Sequence, residues 1–182
     1  MTRQNATNNY VDSQIATINS RLTAVEPAAA PTTDIRINCG ASIDYVAADG
    51  KTWLKDNYFT FGNADASYLG VIGATYDFVL FNYSRSGGAG GFNYKFSVPN
   101  GNYKVELGFS ENFHTSVNSR KFHVDIEGVR VLTDFDIRAQ AGARYSAIKR
   151  TFTTTVSDGE LNIQFTPTVD GAQINNIRVY SI

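Results

Sequence analysis

GFNYKFSVPNGNYKVELGFSENF, residues 91–113, holds two runs in which apolar and polar side chains alternate, separated by Pro99, Asn100 and Gly101. A strand sends successive side chains to opposite faces. Phe92, Tyr94, Phe96 and Val98 therefore share one face, and Tyr103, Val105, Leu107 and Phe109 share another. Asn100 and Gly101 tolerate the positive φ that tight hairpins use, which predicts antiparallel pairing of the two runs. Beyond Phe109, residues Ser110, Glu111 and Asn112 lead to Phe113 and His114, an aromatic pair in a polar stretch where a loop is expected. An aromatic on a loop is available to a ligand, although Phe113 could equally close the core at the strand's end.

Further strand-like runs bounded by Gly, Asn and Asp lie at Ile35–Cys39, Asp77–Tyr83, Lys121–Glu127, Val129–Leu132, Ala147–Val156, Leu161–Phe165 and Ile174–Tyr180. Asp158-Gly159 reads as a tight turn. Many short strands and no long helix predict an all-β domain, an antiparallel β-sandwich of jelly-roll-like type, over residues 34–182.

The first residues follow a different period. Val11, Ile15, Ile18, Leu22 and Val25 alternate intervals of four and three, the apolar seam of a left-handed coiled coil. β-Branched residues where dimers prefer leucine favour a homotrimer or tetramer over a dimer. An ordinary amphipathic helix packed on its own domain is the alternative. The expected organisation is an N-terminal coiled-coil oligomerisation helix over 1–26, an Ala/Pro tether over 27–33 that proline stops from continuing the helix, and the sandwich.

Composition narrows the function. Aromatics at 13% and charged residues at 18% suit β-structure and ring stacking. Lys and Arg number 16 against 17 Asp and Glu, so no basic excess exists for a nucleic-acid backbone. Cys39 is the single cysteine, which rules out an intrachain disulfide. The stretch MTRQNATNNYVDSQ has no apolar run, so neither a secretory leader nor membrane insertion is expected. His114 and His123, the two histidines, fit no zinc spacing, and Asp134 with Asp136 is too short a motif for calcium, so no metal and no cofactor are expected. No G-x-S-x-G elbow occurs, and the glycine-rich residues 86–91 lack the lysine of a phosphate cradle. Glu111, Asp125 and Asp136 read as surface or turn carboxylates rather than a glycosidase pair. The chain is read as non-enzymatic.

Several short motifs occur in an order that resembles the malectin family of carbohydrate-binding domains. Arg36-Ile37-Asn38-Cys39-Gly40 is similar to that family's opening strand. Gly50, Trp53, Asp56 and Phe59 resemble its G-x-x-W-x-x-D-x-x-F segment, and Leu80, Phe81 and Arg85 resemble its L-Y-x-x-x-R run. Phe122–Ile126, Asp134–Ile137 and Ile174–Ile177 resemble the closing stretches. The resemblance implies sugar contacts at Phe113, His114 and Asp170, where malectin places two aromatics and an aspartate against a diglucose ligand. It implies two tyrosines as well. One corresponds to Tyr68; the other should follow Arg85, where this chain has glycines, so Tyr83 stands in for it. Arg85 joins the set as a polar sugar ligand. Competing readings make Tyr68 and Tyr83 core or surface residues, Asp170 a turn former beside Gly171, Glu111 a loop brace and Trp53 core.

These features lead to an expected oligomeric, non-catalytic module for cell-surface oligosaccharide or polysaccharide. Stem, tether and head together resemble a phage tail-fibre or receptor-binding protein on a virion, touching other virion proteins through its N-terminus; a cytoplasmic location is the fallback. The alternative keeps the fold as a structural or decoration protein without sugar binding.

Overall fold

The computed structural model describes residues 12–16, 32–66 and 68–182. The chain falls into two compact units, residues 1–32 and 33–182. In the first, residues 12–16 are helical and exposed, Ile15 at 51%. Val11, Ile18, Leu22 and Val25, the rest of the expected seam, lie outside the described residues.

The second unit stacks two main sheets. One runs in the order β11 (Ile148–Val156), β8 (Gly101–Phe109), β14 (Asn176–Ser181), β1 (Asp34–Asn38), β3 (Thr52–Lys55) and β2 (Tyr45–Val46). The other runs β10 (Val129–Phe135), β9 (Lys121–Ile126), β12 (Glu160–Val169), β7 (Phe92–Ser97) and β4 (Phe59–Thr60). A small third sheet, β13 (Ala172–Ile174), β6 (Ser84–Gly87) and β5 (Asn63–Asp65), flanks them. Pairing is antiparallel except between β1 and β3. One core fills the space between the main sheets: Phe92, Tyr94 and Phe96 of β7 with Phe165 of β12 on one side, Val105, Leu107 and Phe109 of β8 with Ile177 of β14 on the other. The expected β-sandwich is therefore present, and its driving force is the period-two burial read from the sequence.

The expected hairpin is not. β7 pairs with β12 and β4, while β8 pairs with β11 and β14, so the two runs sit in opposite sheets and face each other. Alternation reports which face is buried; it reads the same for a hairpin and for a strand that changes sheet at a corner. Asn100 makes this a corner. Its side chain donates to Ser157 O at 3.0 Å and accepts from Gly159 N at 2.8 Å, while Val98 N donates to Gly159 O at 3.0 Å. The β7–β8 corner is thus fastened to the β11–β12 corner beside it, where Gly159 takes φ +82°.

Two further expectations are corrected. Asp77–Tyr83 is no strand: Phe78–Phe81 forms a short 3-10 helix that buries Leu80 and Phe81 in a second cluster with Trp53 and Ile72. A short apolar run fits either form, and packing selects. Ile174–Tyr180 is interrupted at Asn175, which separates β13 from β14. A helix absent from the expected elements, α1 (Ile137–Ala141), starts at Asp136, whose side chain accepts from Ala139 N at 2.9 Å, and ends at Gly142 with φ +75°.

Candidate sugar-binding rim

β8 ends at Phe109, whose ring packs 5.0 Å from Phe135 and 5.9 Å from Phe122. The chain then enters a loop organised by Glu111, which is 1% exposed. Its Oε1 accepts from the backbone amides of Phe113 and His114 at 2.9 and 3.0 Å, and its Oε2 accepts from Arg120 Nε at 2.7 Å. A buried carboxylate is stable only when paired in this way, and here the pairing also folds the loop. Phe113 projects outward at 64% exposure, with the His114 ring edge-on at 5.0 Å.

His114 reaches the turn between β12 and β13. Its Nε2 lies 2.9 Å from Asp170 Oδ2, and Asp170 itself takes φ +57°. With Asp170 ionised, Nε2 is the ring nitrogen that donates in this contact. Arg120 Nη1 donates to Gly171 O at 2.8 Å and lies 3.6 Å from Asp170 Oδ2. The hydrogen bond from His114, then the Gly171 amide and the Arg120 charge, hold the Asp170 carboxyl below its ordinary range against partial burial. Glu111, Arg120, Asp170 and His114 thus form a chain of linked groups with Phe113 at its open end.

The other flank of the loop carries a residue with no precedent in the sequence reading, Tyr145. Its amide donates to Glu111 O at 3.0 Å, its ring stacks on Tyr68 at 3.9 Å, and the Arg144 guanidinium carbon lies 4.4 Å over it. Arg144 also donates to Asn112 O through Nη2 at 2.8 Å. Tyr145 sits at φ +59°, an unfavourable conformation for an aromatic residue. An arginine-tyrosine pair just after Gly142 was the available signal.

The structure places the expected residues unequally. Phe113, His114 and Asp170 meet on one open rim. Tyr68 is half-buried, one face covered by Tyr145, so it supports the rim rather than presenting a free ring. Tyr83 is half-buried, and its carbonyl accepts from Asn175 at 2.8 Å. Arg85 is a correction. It is 4% exposed, donates to Asp56 through Nε at 2.7 Å and to the carbonyls of Phe61 and Gly62, and lies over the Phe59 ring. Its donors are directed into the fold, which leaves little to offer a sugar. Trp53 is buried. The exposed glycine loop, residues 88–90, follows β6, whose Gly87 pairs with Ala172 two residues from Asp170. Among the described residues no group of three or more metal-ligating side chains occurs, and no helix is long and apolar enough to cross a membrane.

A profile for the Malectin domain matches residues 33–181. Two probable leucine-rich-repeat receptor-like serine/threonine-protein kinases of Arabidopsis thaliana are similar, one 24% identical over 143 residues and the other 27% over 133. The matches cover 74% and 65% of this chain but only 14% and 13% of those proteins. Among solved structures, Bacteroides uniformis β-glucuronidase superposes with a TM-score of 0.74 at 21% identity over 82% of this chain and 18% of that one. The plant receptor-like kinase FER gives 0.70 at 16% identity over 82% and 50%. The extracellular domain of ANXUR1 from Arabidopsis thaliana gives 0.70 at 17% over 82% and 48%. At these identities the solved structures carry the fold alone. The virion location, with cytoplasm as its fallback, is overturned: the curated relatives are receptor-like kinases, and the solved structures of similar fold include an extracellular domain. The tail-fibre role loses its support with it. Spanning all but the N-terminal stretch, the profile match and the sandwich agree, and the chain belongs to the malectin domain family.

Proposed function

We propose that the rim of Phe113, His114 and Asp170 binds a sugar ring without transforming it, on an extracellular face. The observation that carries this reading is the exposed Phe113 ring, fixed by buried Glu111, beside a carboxylate held at 2.9 Å from His114. A flat apolar face takes the C–H side of a pyranose, and the carboxylate and imidazole take its hydroxyls. Hydrolysis would need a second carboxyl group facing the ring. Glu111 is turned away from it, its two oxygens accepting from Phe113, His114 and Arg120. The likeness to a β-glucuronidase spans 18% of that enzyme, so it supports a shared accessory fold rather than shared chemistry.

A glycan array on the full chain, followed by calorimetry with a retained glycan, tests the reading. Phe113→Ala is expected to weaken binding about tenfold, the equivalent of roughly 1.4 kcal/mol, with an unchanged melting temperature. Asp170→Asn keeps the shape but loses the charge and weakens binding as well. An array on which the wild-type chain retains nothing overturns sugar recognition and favours the other reading, an assembly module. FER was solved with the peptide RALF23 and LLG2, which makes a peptide the first partner to try in that event.

A further inference from the structure

A cavity of about 410 Å³ is lined by Thr75, Tyr76, Asp77, Phe81, Ala147 and Lys149 among others. Its size falls in the range of small-ligand sites. Tyr76 is 96% exposed, an aromatic ring left almost wholly in water at the mouth of a concavity. Among the described residues Asp77 is anchored on one oxygen only: Oδ1 accepts from Ala48 N at 2.7 Å and from Tyr45 Oη at 3.2 Å. Lys149 is exposed on β11 and makes no ion pair among the described residues.

Backbone hydrogen bonds tie the walls of this cavity to the loop that carries the rim. Gly73 N donates to Tyr145 O at 2.8 Å and Ala147 N to Gly73 O at 2.9 Å, while Tyr145 N donates to Glu111 O. The two walls of the cavity, residues 74–77 and 147–149, therefore begin where the segments carrying Tyr145 are bonded together. Tyr145 is in turn bonded to the loop that presents Phe113. In the order of these bonds the aromatic residues are Phe113, the Tyr68–Tyr145 stack and Tyr76.

We propose that this cavity is a second sugar subsite, so that the domain binds a glycan chain of several units running from the rim over the tyrosine stack to Tyr76. This rests on the reading of the rim as a sugar site. In the cavity, the Tyr76 ring offers a stacking face, the free oxygen of Asp77 accepts from sugar hydroxyls and Lys149 donates to them. One cation and one anion balance, which suits a neutral polyhydroxylated ring better than a polyanion. Linking two weak contacts through one ligand raises affinity without any new contact at either subsite.

Calorimetry on the full chain with α1,4- and β1,4-linked glucose oligomers of two to six units tests the inference. The expected result is an affinity that climbs about tenfold or more with length for one linkage. Tyr76→Ala and Lys149→Met should flatten that climb while leaving disaccharide affinity unchanged; both side chains are exposed, so folding is not at stake, and melting temperature checks it. Phe113→Ala should weaken every length. Equal affinity for dimer and hexamer in the wild type overturns the second subsite and leaves the rim standing. A loss of disaccharide affinity in Tyr76→Ala overturns it as a separate subsite. No binding at any length overturns it as well, and a silent glycan array then takes the rim reading with it.

Discussion

Arg85 and Asp56 illustrate how a residue expected at the surface becomes part of the interior. Asp56 Oδ2 receives Arg85 Nε at 2.7 Å and Gly40 N at 2.6 Å, and its Oδ1 receives the Tyr94 hydroxyl at 2.7 Å. Both side chains of the pair are almost fully buried. The pair clamps the segment bearing Trp53, Asp56 and Phe59 to β6. Removing one partner strands a charge in the interior, which costs about 3–5 kcal/mol. Arg85→Met should lose stability of that order in urea denaturation, whereas Lys95→Met, which breaks the exposed pair with Glu160, should lose less than about 1 kcal/mol. Asp34 carries a pH effect. Hydrogen bonds from Arg178 first, then Arg36, lower its carboxyl from 3.8 to about 2, outweighing partial burial. A carboxylate depressed in the folded state stabilises fully above its unfolded value and loses that contribution as pH falls through its folded one. Asp34→Asn is therefore expected to be less stable than wild type at neutral pH, and the gap should close between about pH 4 and pH 2 in thermal melts. The arginine's motif was visible in the sequence; its depth was not, because burial depends on Phe59 and Asp56, more than twenty residues away.

At the scale of elements, Asn175 is the junction on which the rim depends. Its Oδ1 accepts from Ser110 N at 2.7 Å, and its Nδ2 donates to Phe81 O at 3.0 Å and Tyr83 O at 2.8 Å. One side chain thereby joins the break between β13 and β14 to the loop after β8 and to the 3-10 helix. Asn112 and Asn176 add bonds to Phe81 O and Leu80 O. Asn175→Ala leaves buried backbone groups without partners, at roughly 1–3 kcal/mol for each group left unpaired. A loss of about 3 kcal/mol in denaturant is expected, together with weaker glycan binding at temperatures where the variant remains folded. Calorimetry beside circular dichroism separates the two effects. Strands such as β1, β9 and β11 were legible because alternation marks them locally. The 3-10 turn at Phe78–Phe81 was not, since four apolar residues in succession carry no period.

For the whole molecule, the spacing of Val11, Ile15, Ile18, Leu22 and Val25 predicts an oligomer. Sedimentation of the full chain is expected to give a multiple of 20.0 kDa, and a chain beginning at Asp34 the monomer mass; a monomeric full chain removes multivalent display. Alternating side chains were enough to establish an all-β domain, its buried faces and an aromatic pair past the end of β8, because the burial of apolar surface is written at every second residue. Pairing was another matter. A strand that turns into a hairpin and one that crosses to the opposite sheet bury the same side chains, and the Asn100–Gly159 contact that distinguishes them joins residues 59 apart. The same holds for the rim. Tyr145 beneath Tyr68, Asp170 beside His114 and Arg85 inside the fold are products of long-range packing, where neighbours in space supply the energy and neighbours in sequence carry no trace of it.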